Sequence, residues 1–269
     1  MLFEKKQKSP DRAVVRVGAA TFGADKIVLI AGPCTVESRS QVLEIAAAVK
    51  EAGATILRGG AYKPRTSPTS FQGLKEKGLE LLAEARELTG LPVVTEVLET
   101  EQLPAVAAVA DILQIGSRNM CNSVLLQRAG ATGKPIFLKR GMGSTVKEFL
   151  LAAEYVLREG NDQVVLCERG IRTFEDSTRF TLDLNAVPVI KQRSWMPVVV
   201  DPSHGTGHVE LVAPMARAAI ACGADGVMVE LHNHPEQALC DGEQCEKPED
   251  FYEMVKSLRQ VAEAVGRSL

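Results

Sequence analysis

No stretch of this 269-residue chain stays apolar for the roughly 18 to 20 residues that a membrane-crossing helix needs. The opening segment MLFEKKQKSPDR carries charge where a signal peptide carries an apolar core. Both absences point to a cytoplasmic protein that does not bind membranes. A cationic excess is also missing. With 31 Lys and Arg against 34 Asp and Glu, the formal net charge is −3, which excludes the basic surface that nucleic-acid binding requires. The six cysteines (34, 121, 167, 222, 240 and 245) include no CxxC pair, so a zinc ribbon is excluded. Most are expected to be free thiols, with Cys167 and Cys222 in apolar runs as small core residues. No low-complexity stretch and no Pro/Gly/Ser linker divides the chain.

What recurs is a short apolar run followed by an amphipathic stretch. The runs are Ile27 to Ala31, Thr55 to Leu57, Val93 to Thr95, Ile112 to Ile115, Ile136 to Leu138, Val164 to Leu166, Val198 to Val200 and Val227 to Val229. Rich in Val and Ile and without polar alternation, they suit parallel strands covered on both faces. Helices are expected at Ser40 to Ala52, Gly73 to Thr89, Glu101 to Ala108, Val124 to Ala131, Val146 to Arg158, Thr178 to Ala186, Glu210 to Cys222 and Asp250 to Val265. Eight such units in a chain of this length match an α/β fold of the (β/α)8 TIM-barrel type; a doubly wound open sheet is the alternative. Residues 1–26 read as an N-terminal arm, in which Val14 to Val17 suggests an extra strand capping the barrel bottom. Residues 27–269 read as a single barrel.

The residues just beyond each strand carry the chemistry. LRGGAYKPRTSP, at 57–68, sets Arg58, Lys63 and Arg65 within eight positions, and no carboxylate occurs between Glu51 and Glu76. An anion is expected there. Cys34 follows the first strand, Glu96 ends the third, and Arg118 follows the fourth. Lys139 and Arg140 end the fifth, and Glu168, Arg169 and Arg172 follow the sixth. Asp201 and His204 follow the seventh, and Glu230 ends the eighth, with His232, His234 and Asp241 beyond it. In a barrel all of these converge on the C-terminal mouth, where active sites of the fold lie, and a cationic mouth on an acidic protein focuses potential on small anions.

Each residue alone also has an ordinary reading. A loop Arg is commonly solvated or ion-paired, Glu96 and Glu168 could pair with neighbouring cations, and the HxH of His232 and His234 suits an exposed loop as well as a metal. The coincidence at one end of nearly every strand is what points to a site. Arg58, Lys63, Arg65, Arg118, Lys139, Arg169 and Arg172 exceed what one phosphate needs. They suit two phosphorylated substrates, or a phosphate plus a carboxylate. Cys34, His204, Glu230 and Asp241 form a mixed soft and hard set that would suit Mn, Fe, Co or Zn better than Mg, although ligands so scattered do not by themselves establish a metal.

In this order, AGPC, LRGGAYKPRTSP, QIGSRN, LKRG, CERGIRTFE and DPSHGTG resemble the 3-deoxy-D-arabino-heptulosonate 7-phosphate (DAHP) synthases, type I beta subgroup, over residues 27 to about 266. The related 3-deoxy-D-manno-octulosonate 8-phosphate synthases read KANRS where this chain has Lys63-Pro64-Arg65-Thr66-Ser67, and they are the alternative. The resemblance implies a transferase joining phosphoenolpyruvate to D-erythrose 4-phosphate with water, the first step of the shikimate pathway toward aromatic amino acids. It implies one divalent metal per subunit on Cys34, His204, Glu230 and Asp241. Phosphoenolpyruvate would meet Arg58, Lys63, Ser117, Arg118, Lys139, Arg169 and His204, and erythrose 4-phosphate would meet Lys63, Pro64, Arg65, Thr66 and Ser67. Lys63, Glu96, Lys139 and His204 would be catalytic. A homo-oligomer, dimer or tetramer, is implied too. No segment is long enough for an appended effector domain, so insensitivity to phenylalanine, tyrosine and tryptophan is expected. If Cys34 and Asp241 share a metal, Cys240 is carried close to Cys34, and a Cys34–Cys240 disulfide becomes accessible in the metal-free protein.

Overall fold

The computed structural model describes residues 1–4, 14–65 and 67–269. Among the described residues, ten strands run in chain order: β1 Val15–Val17, β2 Ala20–Phe22, β3 Val28–Gly32, β4 Ile56–Arg58, β5 Val93–Glu96, β6 Ile112–Ile115, β7 Ile136–Lys139, β8 Val164–Glu168, β9 Val198–Val200 and β10 Gly226–Glu230. The last eight are parallel and close into a barrel, β10 pairing with β3 from Gly226↔Val28 to Glu230↔Gly32. The α-helices are α1 Arg39–Ala52, α2 Glu76–Thr89, α3 Leu103–Val109, α4 Ser123–Gly130, α5 Val146–Arg158, α6 Ala186–Arg193, α7 Pro202–Thr206, α8 Val209–Ala221 and α9 Pro248–Ala264. A (β/α)8 barrel is therefore present, as the eight apolar runs predicted, and the open sheet is excluded by the β10–β3 pairing.

Alternation along the strands builds two cores. Ile30, Ile56, Val94, Ile112, Phe137, Val165, Val199 and Met228 form one cluster inside the barrel. Their neighbours Leu29, Leu57, Val93, Leu113, Leu138, Leu166, Val200 and Val229 pack outward against the helices. Both faces of the barrel strands are buried, with Glu96 at the mouth the one partly exposed position, which is why the sequence shows continuous apolar runs. Strands β1 and β2 form an antiparallel hairpin whose Val15, Val17, Ala20 and Phe22 join the inner cluster. The hairpin enters from the N-terminal end, where Gly18 abuts Pro92 just ahead of β5. The expected capping strand is thus one half of a plug.

Local signals fix the helix ends. Ser38 caps α1 by accepting from the Gln41 N–H, and Gly53 closes that helix in the left-handed region. Thr145 and Glu148 form a reciprocal capping box on α5.

One predicted helix is corrected. Thr178 to Ala186 is not helical, and α6 begins only at Ala186. The backbone of this segment bonds elsewhere: Arg179 N–H to the Thr206 carbonyl, Phe180 N–H to the Gly205 carbonyl, and Thr181 with Ile171 in both directions. Those bonds tie residues 179–180 to the end of α7, itself a short helix that the sequence reading did not anticipate. No helix among the described residues is long and apolar enough to cross a membrane.

Candidate active site

A cavity of about 440 Å³ opens at the C-terminal ends of the barrel strands. Arg58, Lys63, Pro64, Arg65, Ser67, Ser117, Arg118, Lys139, Arg169 and His204 all line it, as do Glu96, Cys34 and Asp241. Thr66 lies outside the described residues. Glu230 is fully buried behind the wall, held by the Arg58 guanidinium and by Gln244 Nε2 at 2.6 Å. Two glycines make room. Gly32, at φ +152°, would put a Cβ 2.0 Å from the Arg58 carbonyl, so only glycine lets β3 pass the end of β4. A Cβ on Gly116 would fall 2.0 Å from Glu96 Oε1.

The four expected donors are brought together. Cys34 Sγ lies 3.3 Å from Asp241 Oδ2, and Lys63 Nζ stands 2.7 Å from that sulfur and 3.4 Å from the same carboxylate oxygen. His204 Nε2 faces Glu230 Oε1 at 3.3 Å. Donor atoms of His204, Glu230 and Asp241 all fall within 4.8 Å of one another, as do those of Cys34, Cys240 and Asp241. Cys240 was not expected in the donor group. Of the HxH pair, His232 is buried against Glu37 and His234 is exposed, and neither belongs to these groups.

His204 tests whether the set suits a cation. Burial pushes it down to about 4, against the pull of Asp201 and Glu230, so it is neutral. Its Nδ1 lies 2.7 Å from Asp201 Oδ2 and its Nε2 3.3 Å from Glu230. A neutral imidazole has one proton for these two carboxylates. With that proton on the shorter contact, an Nε2 lone pair faces a carboxylate oxygen, an arrangement that a metal ion satisfies. Glu230 stays ionised, drawn down to about 2: burial, which raises it, is outweighed by the Arg58 and Lys63 cations. The donor set fits a divalent metal.

Asp201 is the main residue whose role the sequence reading passed over. Fully buried, it caps α7 through the His204 N–H at 2.9 Å and binds Lys139 Nζ at 2.5 Å through the oxygen that faces His204 Nδ1. It thereby sets the orientation of two site residues at once. Arg179, hidden in the sequence by the misplaced helix, reaches Asp241 Oδ1 at 3.3 Å and Gln244 at 2.7 Å. Gln114 donates to Glu96 Oε2 at 3.2 Å. Arg169 is different. Its Nε and Nη1 are buried with no protein partner, its guanidinium lies over the Phe180 ring at 4.1 Å, and burial draws its pKa down. A buried, unpaired guanidinium at a cavity wall is costly unless an anion completes it.

Residues 7–267 match the model of the DAHP synthetase I family. The chain belongs to that family. It is 52% identical over 257 residues to the phospho-2-dehydro-3-deoxyheptonate aldolase of Thermotoga maritima, covering 96% of this chain and 76% of the relative. It is 34% identical over 264 residues to a 2-dehydro-3-deoxyphosphooctonate aldolase of Nitrobacter winogradskyi, covering 91% of each. The crystal structure of the Thermotoga maritima enzyme superposes with a TM-score of 0.96 at 51% identity, over 99% of this chain and 78% of that one. A truncated form of 3-deoxy-D-arabino-heptulosonate 7-phosphate synthase from the same organism gives 0.92 at 47% identity, over 99% and 98%. The DAHP synthetase I family thus accounts for the barrel and for the motifs at its mouth.

Proposed function

We propose that the chain condenses phosphoenolpyruvate with D-erythrose 4-phosphate and water, giving DAHP and phosphate. The observation that carries this reading is the unpaired Arg169 guanidinium in a cavity that Arg118, Lys139 and Arg172 also line. Those groups suit the phosphate and carboxylate of phosphoenolpyruvate, with Ser117, Arg58, Lys63 and His204 completing that half. The acceptor would meet Lys63, Pro64, Arg65, Thr66 and Ser67, with Arg65 and either Thr66 or Ser67 binding its phosphate. The octulosonate reaction is the less supported alternative, because the relatives with that name are about 34–35% identical against 52%.

Cys34, His204, Glu230 and Asp241 would hold a divalent ion such as Mn, Fe, Co or Zn, their thiolate, imidazole and carboxylates being suited to such metals. When bound, that ion supplies Lewis acidity at the acceptor aldehyde. The cations hold two mutually repelling anions in attack geometry, and positioning of this kind supplies up to about 7 to 11 kcal/mol. Carbon 3 of phosphoenolpyruvate attacks the aldehyde carbon, and Lys63 delivers a proton to the oxygen that becomes the hydroxyl. Its ammonium is held charged: burial, which lowers its pKa, is outweighed by nearby negative charge, Glu230 and Asp241 included. Water adds at carbon 2, oriented by Glu96 and Lys139, and phosphate leaves from that carbon. Asp201 keeps Lys139 and His204 aligned for these tasks.

Phosphate release from phosphoenolpyruvate decides the reading. Erythrose 4-phosphate should support turnover and arabinose 5-phosphate should not, and a strong chelator should stop the reaction until a divalent metal is returned. Faster turnover with arabinose 5-phosphate would favour the octulosonate reaction, and full activity after metal stripping would end the metal assignment.

A further inference from the structure

Glu37 is a largely buried carboxylate with no place in the chemistry above, yet its bonds reach three of the four segments that carry candidate ligands. Its Oε1 accepts from Thr35 Oγ1 at 3.2 Å and from the Leu239 N–H at 3.0 Å. Its Oε2 lies 3.2 Å from His232 Nε2. Thr35 follows Cys34, Leu239 stands two residues before Asp241, and His232 two residues after Glu230. The two side chains are only 11% and 6% exposed.

The hydrogen bonds fix the histidine. His232 Nδ1 accepts from the His234 N–H at 2.9 Å, so the ring proton resides on Nε2 and is donated to Glu37. Unlike His204, this imidazole has one proton for one carboxylate, and nothing is left over for a metal. The Glu37 end is anchored separately: its N–H donates to Gln41 Oε1 at 3.0 Å, and Gln41 Nε2 donates to the Thr35 carbonyl at 3.1 Å. The start of α1 therefore holds the carboxylate, and the carboxylate holds the loop after β10 against the loop after β3.

We propose that Glu37 and His232 are positioning residues, a clamp that sets the spacing of Cys34, Glu230 and Asp241 before the ion arrives. The inference rests on the ligand assignment made above. A site whose donors come from separate loops binds tightly only when those loops are already ordered, and loss of such an outer partner typically weakens metal affinity by about 10- to 100-fold.

Three substitutions separate the clamp from general stability. Glu37→Gln turns an amide N–H toward the His232 N–H, setting two donors face to face. His232→Asn keeps an acceptor for the His234 N–H but cannot reach Glu37. His232→Gln keeps a donor for Glu37. Cobalt(II) is titrated into the metal-stripped full chain, read by thiolate-to-cobalt absorption rather than by turnover. Glu37→Gln and His232→Asn should weaken cobalt binding by about 10- to 100-fold, with the KM for phosphoenolpyruvate unchanged and kcat recovered at saturating cobalt. His232→Gln should bind nearly as the parent does. Should Glu37→Gln fail to fold, His232→Asn decides alone, since it leaves the other two Glu37 bonds in place. Lowered melting temperatures with unchanged cobalt affinity would overturn the clamp. A parent chain that takes up no cobalt would instead overturn the ligand assignment, and the clamp with it.

Discussion

Lys63 Nζ stands 2.7 Å from Cys34 Sγ, inside hydrogen-bonding reach of a sulfur that also faces Asp241. One residue from each of the first two strand-end loops therefore meets at the point where the acceptor aldehyde would react. Cys34→Ala removes the soft donor and leaves the wall cations Arg118, Lys139 and Arg169 in place. Turnover should fall below detection and bound metal should drop sharply, while phosphoenolpyruvate affinity changes little. Metal content, equilibrium binding and rate on the same folded sample check this. Full specific activity without metal would show that Cys34 is only a buried thiol.

Arg65 tests the acceptor half. Its Nη1 rests on Cys240 Sγ at 2.6 Å, so the guanidinium already points into the cavity. Arg65→Ala deletes a charge-assisted phosphate contact, and hydrogen bonds to charged groups contribute about 1.5 to 3 kcal/mol. The KM for erythrose 4-phosphate should rise by roughly 10- to 100-fold, with the KM for phosphoenolpyruvate nearly constant. Equal effects on both substrates would count against the division of the cavity made here.

Gly116→Ala probes Glu96 without touching it. The added Cβ would fall 2.0 Å from Glu96 Oε1, and the movable partner is the carboxylate. The variant should fold, with a melting temperature close to that of the parent, while kcat falls by about tenfold or more as the water-orienting group is displaced. Glu96→Gln should lower kcat without a steric cause. A Gly116→Ala enzyme of parental kcat would remove Glu96 from the mechanism.

Much of this site was legible because strand ends are places that the sequence marks twice, once by apolar runs and once by the charges that follow them. Cys34, Arg58, Glu96, Arg118, Lys139, Arg169, His204 and Glu230 all sit where a parallel strand hands over to its loop, so the barrel alone gathers them. What escaped depended on backbone partners that no local pattern shows. TRFTLDLNA looked helical, but its N–H groups bond to Gly205 and Thr206 carbonyls, and Arg179 was hidden with it. The HxH pair looked like a metal motif. Only the Glu37 carboxylate, 195 positions away from His232, shows that the ring has its proton spoken for.

Cys240 supplies the remaining prediction. Cys34 and Cys240 are free thiols with sulfurs 3.7 Å apart, Cys34 donating to Cys240. That hydrogen bond lowers the Cys240 pKa, aided by Lys63 against the opposing effect of burial, so Cys240 is the sulfur favoured as thiolate. When metal holds Cys34, the pair is kept apart chemically. In the stripped protein under air, dioxygen can take two electrons and two protons from the pair, forming one S–S bond and hydrogen peroxide. We expect aeration of the metal-free enzyme to abolish its reactivation by added metal, a Cys34–Cys240 cross-link in peptide maps, and recovery when a dithiol and a divalent metal are added together. Metal alone should not restore the rate, because the oxidised Cys34 sulfur is no longer a thiolate donor. Cys240→Ser should resist the aerobic loss while keeping the four expected ligands. If that variant inactivates as fast as the parent, or if both thiols map as free after inactivation, a different lesion is responsible.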